Sequence, residues 1–127
     1  MYEYWYGLGD KRSFQVVPVP LHENRIKKRK YNHMELTADE FCKLSGFTPN
    51  YELIKRIKDT KPQYKLTRTE RLKNLAGAFE VDLTKDLKKP VLILDDICTT
   101  GATFEEMIKT LKSKGITEIV CLASSSP

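Results

Sequence analysis

The sequence has no Cys-x-x-Cys pair, and its three cysteines, Cys42, Cys98 and Cys121, stand far apart. A zinc ribbon is therefore not expected, and an odd count of three does not make a disulfide framework. Few and scattered thiols point to a reducing compartment. No apolar run approaches the roughly 20 residues of a membrane span. The start, "MYEYWYGLGDKRSF", lacks a basic stretch followed by an apolar one, so no secretory signal is expected and a cytoplasmic protein is. There is no GxxxxGK[ST] and no GxGxxG, which sets aside the Walker and dinucleotide loops. Internal repeats and low-complexity segments are also missing.

What the chain does have is charge. Of 127 residues, 22 are Lys or Arg and 17 Asp or Glu, a net of +5. That surplus favours anionic partners, phosphorylated metabolites or nucleic acid, without choosing between them. The densest cluster is "RIKKRK", residues 25–30, where five of six residues are basic. The length suits one domain with a modest core.

Apolar runs and helical spacings alternate along the chain. "FQVVPVP" (14–20) reads as a buried strand stopped by Pro18 and Pro20. In "HMELTADEFCKLSG", Met34, Ala38, Phe41 and Leu44 share a helical face, and Gly46 supplies a stop. "YELIKRI" reads as a second strand. A short helix with a threonine cap is expected from Thr69, and "AFEV" as an extended piece. "VLILDD" is the best strand. "TFEEMIKTLKSKG" is the best helix, with Phe104, Met107, Ile108 and Leu111 on one face, acids early, lysines late and Gly115 after it. "TEIVCLA" closes the series. The pattern predicts an α/β domain: an open, mainly parallel sheet flanked by helices on both faces. Residues 1–13 read as an N-terminal extension and 14–127 as the domain. Cys42 and Cys121 fall on apolar faces and read as core, while Cys98 reads as a tolerated small side chain. The aromatic start, Tyr2, Tyr4, Trp5 and Tyr6, reads as packing on the sheet or base stacking, with packing favoured.

The chemistry concentrates in "VLILDDICTTGAT". In an open parallel sheet, ligands bind beyond the carboxyl ends of the strands. Asp95 and Asp96 fall at that end of the best strand. Thr99, Thr100 and Thr103 supply hydroxyls, Gly101 permits close backbone approach, and the next helix begins there. Backbone N–H groups at a helix start hold phosphate well. Two carboxylates beside such a cradle suit a ligand carrying a phosphate, hydroxyls and a magnesium ion. A solvated acidic turn followed by a plain helix cap is the alternative for the same letters.

This run resembles the phosphoribosyl pyrophosphate motif of the type I phosphoribosyltransferases. The order of "VVPVPLHENRIKKRKYNHMEL", "RIKDTKPQYKLTRTERLKNLAGAF" and the motif is similar to that of the competence-associated ComF-type proteins, over roughly residues 15–123. The resemblance implies a phosphoribosyltransferase-like core and a magnesium-dependent glycosyltransferase moving phosphoribose from phosphoribosyl pyrophosphate to an acceptor the sequence does not name. It implies that Asp95 and Asp96 meet the ribose hydroxyls, directly or through magnesium, and that Thr99, Thr100, Gly101, Ala102 and Thr103 wrap the 5′-phosphate. It implies a pyrophosphate loop at Pro20, Leu21, His22, Arg25 and Arg29. It implies a flexible loop with Arg56, Gln63 and Arg71 at its characteristic positions, Arg71 joining the two acids as a catalytic group.

Three features depart from that family. Its zinc ribbon has no counterpart in residues 1–13, so either a short version without it or a fragment is expected, with a bare sheet flank and self-association as a homodimer. Its "RGFNQ" stands here as "RKYNH", residues 29–33, with Lys30 in place of a glycine and His33 in place of a glutamine. No segment clearly supplies a hood for an acceptor base. The alternative the resemblance leaves open is a non-catalytic competence module that contacts single-stranded DNA or competence proteins, with the basic run as its warrant. A sensor that binds phosphoribosyl pyrophosphate without turnover is a third.

Overall fold

The computed structural model describes residues 12–20, 33–58, 67–84, 87–97 and 101–125. In chain order its elements are β1 (Gln15–Pro18), α1 (His33–Ser45), β2 (Thr48–Pro49), β3 (Ile54–Arg56), α2 (Arg68–Leu75), β4 (Phe79–Val81), β5 (Val91–Ile97), α3 (Ala102–Ser113) and β6 (Ile119–Ser125). Four strands form one parallel sheet in the order β2-β1-β5-β6, with Val16 opposite Leu92 and Leu92 opposite Val120.

Strand periodicity explains the unbroken apolar runs, because successive side chains point to opposite faces and here both faces are covered. Val16, Leu92, Leu94 and Leu122 face α1, packing with Met34, Ala38 and Phe41. Val17, Val91 and Ile93 face the other way, with Leu75 of α2 and Met107 and Leu111 of α3. Val91 through Leu94 are all fully buried. Each contributes about 1.5–3 kcal/mol relative to exposure, which is why β5 anchors the domain. Gln15 is the polar exception in β1. Its side-chain amide donates to the Lys89 carbonyl (3.2 Å) and accepts from Asn50 Nδ2 (2.8 Å), so its burial leaves no dangling group.

The helix ends follow from single residues. α3 closes with a Schellman turn: Gly115, at φ 96°, donates to the Lys112 carbonyl (3.1 Å) and Ile116 to the Leu111 carbonyl (3.2 Å). α1 stops at Gly46, φ 79°. The cap of α2 is Thr67 and not Thr69. Glu70 stands three residues after Thr67, and the two make a reciprocal capping box, with the Glu70 amide donating to Thr67 Oγ1 at 3.2 Å. Thr67→Ala is expected to lower the urea midpoint by the equivalent of about 1 kcal/mol, and Thr69→Ala by less than about 0.5. Equal losses at both positions would overturn the assignment.

Two expectations need correction. The strand in "YELIKRI" shrinks to Ile54–Arg56 and pairs antiparallel with β4, outside the main sheet. The edge beside β1 is instead Thr48–Pro49, where proline is tolerated because an edge strand need not donate on its outer side. Leu44, expected on the buried face of α1, is 55% exposed, and Cys42 takes its place. The boundary expected at residue 13 adjoins residues 1–11, which lie outside the described residues, as does Cys98. Cys42 is a free thiol. Burial first, and the Asp39 charge second, push the Cys42 thiol up to about 11, so it stays protonated and unreactive at neutral pH. Among the described residues no helix is long and apolar enough to cross a membrane.

Candidate functional site

From β1 the chain passes through α1 to β2 on one side. From β5 it passes through α3 to β6 on the other. The connections diverge between β1 and β5, which is the topological switch point where open parallel sheets leave a crevice at the carboxyl ends of their strands. Asp95 stands at that end of β5, opposite Ala123 of β6. The Val19 amide donates to the Leu94 carbonyl (2.8 Å), which carries Pro20 to the same place. The segment from Pro20 and the acid pair thus start side by side.

The two acids are not equivalent. They are neighbours on β5 but differ in burial. Asp95 is half-buried and Asp96 exposed, and the Asp96 amide donates to Asp95 Oδ1 at 2.8 Å. Burial pushes the Asp95 carboxyl up from 3.8 to about 7. A hydrogen bond with the Asp96 carboxyl and its charge add to this, while the Asp96 amide and the Arg56 guanidinium oppose it. A half-buried acid held partly neutral near pH 7 stands ready for a cation or hydroxyl donors.

Arg56 lies on β3 with its guanidinium carbon 5.1 Å from the centre of the Phe79 ring on β4, opposite it in register. It was expected on a flexible loop. Strand pairing holds its backbone instead, and its charge acts on Asp95 from the small sheet. The signal was readable: Arg56 is two residues beyond fully buried Ile54, hence on the same face. Arg71 is likewise a residue of α2, with its side chain outside the description. α2 is tied to the start of α3 by Arg68 and Glu105 (3.0 Å, both exposed) and by the Gly77 amide donating to the buried carboxylate of Glu106 (3.2 Å). The sequence reading did not single out Glu106. The hydrogen bond it accepts from the Gly77 amide helps to explain why an acid is tolerated on that buried side.

α3 begins at Gly101, in the left-handed region at φ 76°, with no side chain capping the helix. A side chain there is strained, although a Cβ would meet no neighbour. Ala102 is buried and Thr103 half-buried. Thr99, Thr100, Leu21, His22, Arg25, Arg29 and Gln63 lie outside the described residues. The site that can be described is therefore Pro20, Arg56, Asp95, Asp96 and residues 101–103.

For magnesium, the donor chemistry fits: two carboxylates, hard oxygens, one of them waiting for positive charge. The count does not make a cage. No group of three or more metal-binding side chains occurs among the described residues. A divalent ion here needs oxygens from a ligand or water to complete its shell, as magnesium commonly has.

No family model matches the chain. Among curated proteins it is 32% identical over 106 residues to Competence protein F of Haemophilus influenzae, covering 82% of this chain and 46% of that protein. It is 30% identical over 101 residues to DNA utilization protein YhgH of Salmonella typhimurium, covering 80% and 44%. It is 29% identical over 104 residues to Competence protein ComFC of Bacillus subtilis, covering 82% and 40%. The chain spans less than half the length of these relatives. Together they support a ComF-like family for this chain.

Proposed function

We propose that the chain binds phosphoribosyl pyrophosphate with magnesium, in the manner of a type I phosphoribosyltransferase, within a competence-related role. One observation carries the reading: a half-buried acid and its exposed neighbour end β5 at the switch point, and a glycine-entered helix follows. The relatives' names support the competence-related role.

In this reading Asp95 and Asp96 accept hydrogen bonds from the ribose hydroxyls. Residues 99–103 hold the 5′-phosphate with N–H groups and hydroxyls. Pro20, Leu21, His22, Arg25 and Arg29 take the pyrophosphate end, with Arg56, Gln63 and Arg71 approaching from the other side. Asp95 and Asp96 would hold magnesium, which would supply positive charge to offset that of the phosphates. Departure of pyrophosphate leaves positive charge on the ribose and negative charge on the leaving group. Cations over the pyrophosphate therefore contribute more than a strong base would.

The test is calorimetric titration of phosphoribosyl pyrophosphate, with and without magnesium, into the wild-type chain and the Asp95→Asn/Asp96→Asn variant. Magnesium-dependent binding that the variant loses is the expected result. Binding to neither protein would sink the reading.

A second reading, a DNA-handling module without turnover, is favoured by the name of the YhgH relatives, DNA utilization protein. Its surface on the sequence reading is the run 25–30. Lys27, Lys28 and Lys30 changed to Ala should then weaken DNA binding and flatten its salt dependence.

A further inference from the structure

Among the described residues, the amino ends of the strands, at the opposite end of the sheet from Asp95, are made by four stretches: residues 12–14, 43–48, 87–90 and 112–118. Hydrogen bonds join them into one edge. The Gln15 amide donates to the Pro90 carbonyl (2.9 Å), Lys89 Nζ to Thr48 Oγ1 (3.4 Å), and the Val91 amide to the Glu118 carbonyl (2.9 Å). These stretches carry Arg12, Lys43, Lys88, Lys89, Lys112 and Lys114 against one acid, Glu118. All six cations are exposed except Lys89, which is half-buried. The Arg12 guanidinium carbon lies 4.9 Å from the centre of the Phe14 ring, a cation–π contact that holds this charge at the edge.

Helix dipoles account for part of this. Lys43 and Lys112 sit in the last turns of α1 and α3, where lysines offset the partial negative charge of free carbonyls. They do not account for Arg12, Lys88 and Lys89, which belong to no helix. Nor do they account for Lys114, which adds a second cation to the α3 terminus. The carboxyl edge, by contrast, mixes Asp95, Asp96 and Glu105 with Arg56 and Arg68. Among the described residues, the amino end is the more positive of the two.

We infer that this amino-end face binds the phosphate backbone of DNA, without reading sequence. The inference rests on the second reading above but names a different surface from the run 25–30. The dimensions fit: four strands at about 4.8 Å make an edge roughly 15 Å wide, about four phosphates at 3.4 Å along one strand. The aromatic rings there, Phe14 and Phe47, are buried and half-buried, so base stacking is not the holding force. Backbone contact alone predicts similar binding of single strands and duplexes.

The experiment is fluorescence anisotropy with a labelled DNA of about 20 nucleotides, single-stranded and as duplex, from about 50 to 200 mM salt. It uses the full chain and four variants. If four phosphates are neutralised, log K against log salt has a slope near about −3 on single strands. Lys43→Gln/Lys88→Gln/Lys112→Gln/Lys114→Gln should bind at least about tenfold more weakly at low salt and have a slope shallower by about 2–3. The same four positions changed to Arg should bind like wild type, which separates lost charge from damaged fold. Lys55→Gln/Lys73→Gln/Lys109→Gln, at exposed lysines outside the four stretches, should bind DNA nearly as wild type does. Wild-type binding by the Gln variant overturns the inference. If Lys27→Gln/Lys28→Gln/Lys30→Gln alone abolishes binding, the second reading stands and this face is wrong. No DNA binding by the wild-type chain overturns both. Equal binding of a polyglutamate of matched charge overturns the assignment to DNA.

Discussion

Asp95→Asn should make the folded chain more stable at pH 8, by on the order of 1–2 kcal/mol, while removing magnesium-dependent sugar-phosphate binding. The two effects come from one cause. Burial raises the Asp95 carboxyl from 3.8 to about 7. Below about pH 4 the acid is neutral whether the chain is folded or not, and it costs nothing. As the pH climbs towards 7, the unfolded chain releases this proton while the folded chain holds it. The unfolded state then binds fewer protons, so stability falls with rising pH through this window and the penalty is complete above it. The full interval would correspond to about 4 kcal/mol. Partial exposure and sharing of charge with Asp96 reduce that to the smaller figure. Asparagine keeps the shape and cannot ionise, so the variant's stability should be flatter between pH 4 and 7. Urea unfolding of both proteins at about pH 3.5 and about pH 8 measures it. The curves should nearly coincide at the lower pH and separate at the higher. A variant no more stable than wild type at pH 8 would show that the fold does not resist this charge. Residues retained at a cost to stability mark sites whose chemistry needs them strained or poorly solvated.

Much of this site was legible in the letters because it depends on local order. A run of four buried aliphatic residues has to be a strand covered on both faces, and acids at its end have to lie at the carboxyl edge. The glycine that starts α3 and the glycine that ends it each mark a backbone position with positive φ. What the letters did not show depends on contacts between distant segments. The family resemblance places Arg56 on a loop, although "YELIKRI" itself reads as a strand. Only its pairing with Phe79, more than 20 residues on, makes it a fixed cation beside Asp95. Thr67 was passed over for Thr69 because the helix was read from its apolar residues. The glutamate three residues after the cap is the local signal that settles it. The basic amino edge was invisible in sequence, since its cations come from four separate turns and form no run.

The same limit of local reading governs Phe41 and Leu44, and their substitutions should separate sharply. Around α1 each residue turns by about 100°, so Cys42 and Leu44 lie about 80° to either side of Met34. Periodicity admits either flank as the continuation of the stripe Met34–Ala38–Phe41, and the larger aliphatic residue was the natural choice. The sheet decides otherwise. Phe14, Val16, Leu92 and Leu94 lie under the Cys42 flank, and Tyr51 pins the helix from that side through its hydroxyl, which donates to the Glu35 carbonyl (3.2 Å) and to the Asp39 carboxylate. Phe41 is 1% exposed and its ring lies 6.3 Å from that of Phe47. Phe41→Ala is therefore expected to cost about 3–5 kcal/mol, through lost burial and the cavity left beneath α1. Leu44→Ala removes a side chain that is already mostly in water and introduces the best helix former, so its effect should stay within about 0.5 kcal/mol. Urea unfolding of the two variants checks both. A cost above about 2 kcal/mol for Leu44→Ala would mean that its side chain is covered in solution, and the homodimer expected from the sequence would then have a face to use. Concentration dependence of that variant's unfolding midpoint, set against wild type, would distinguish a partner copy from a repacked helix.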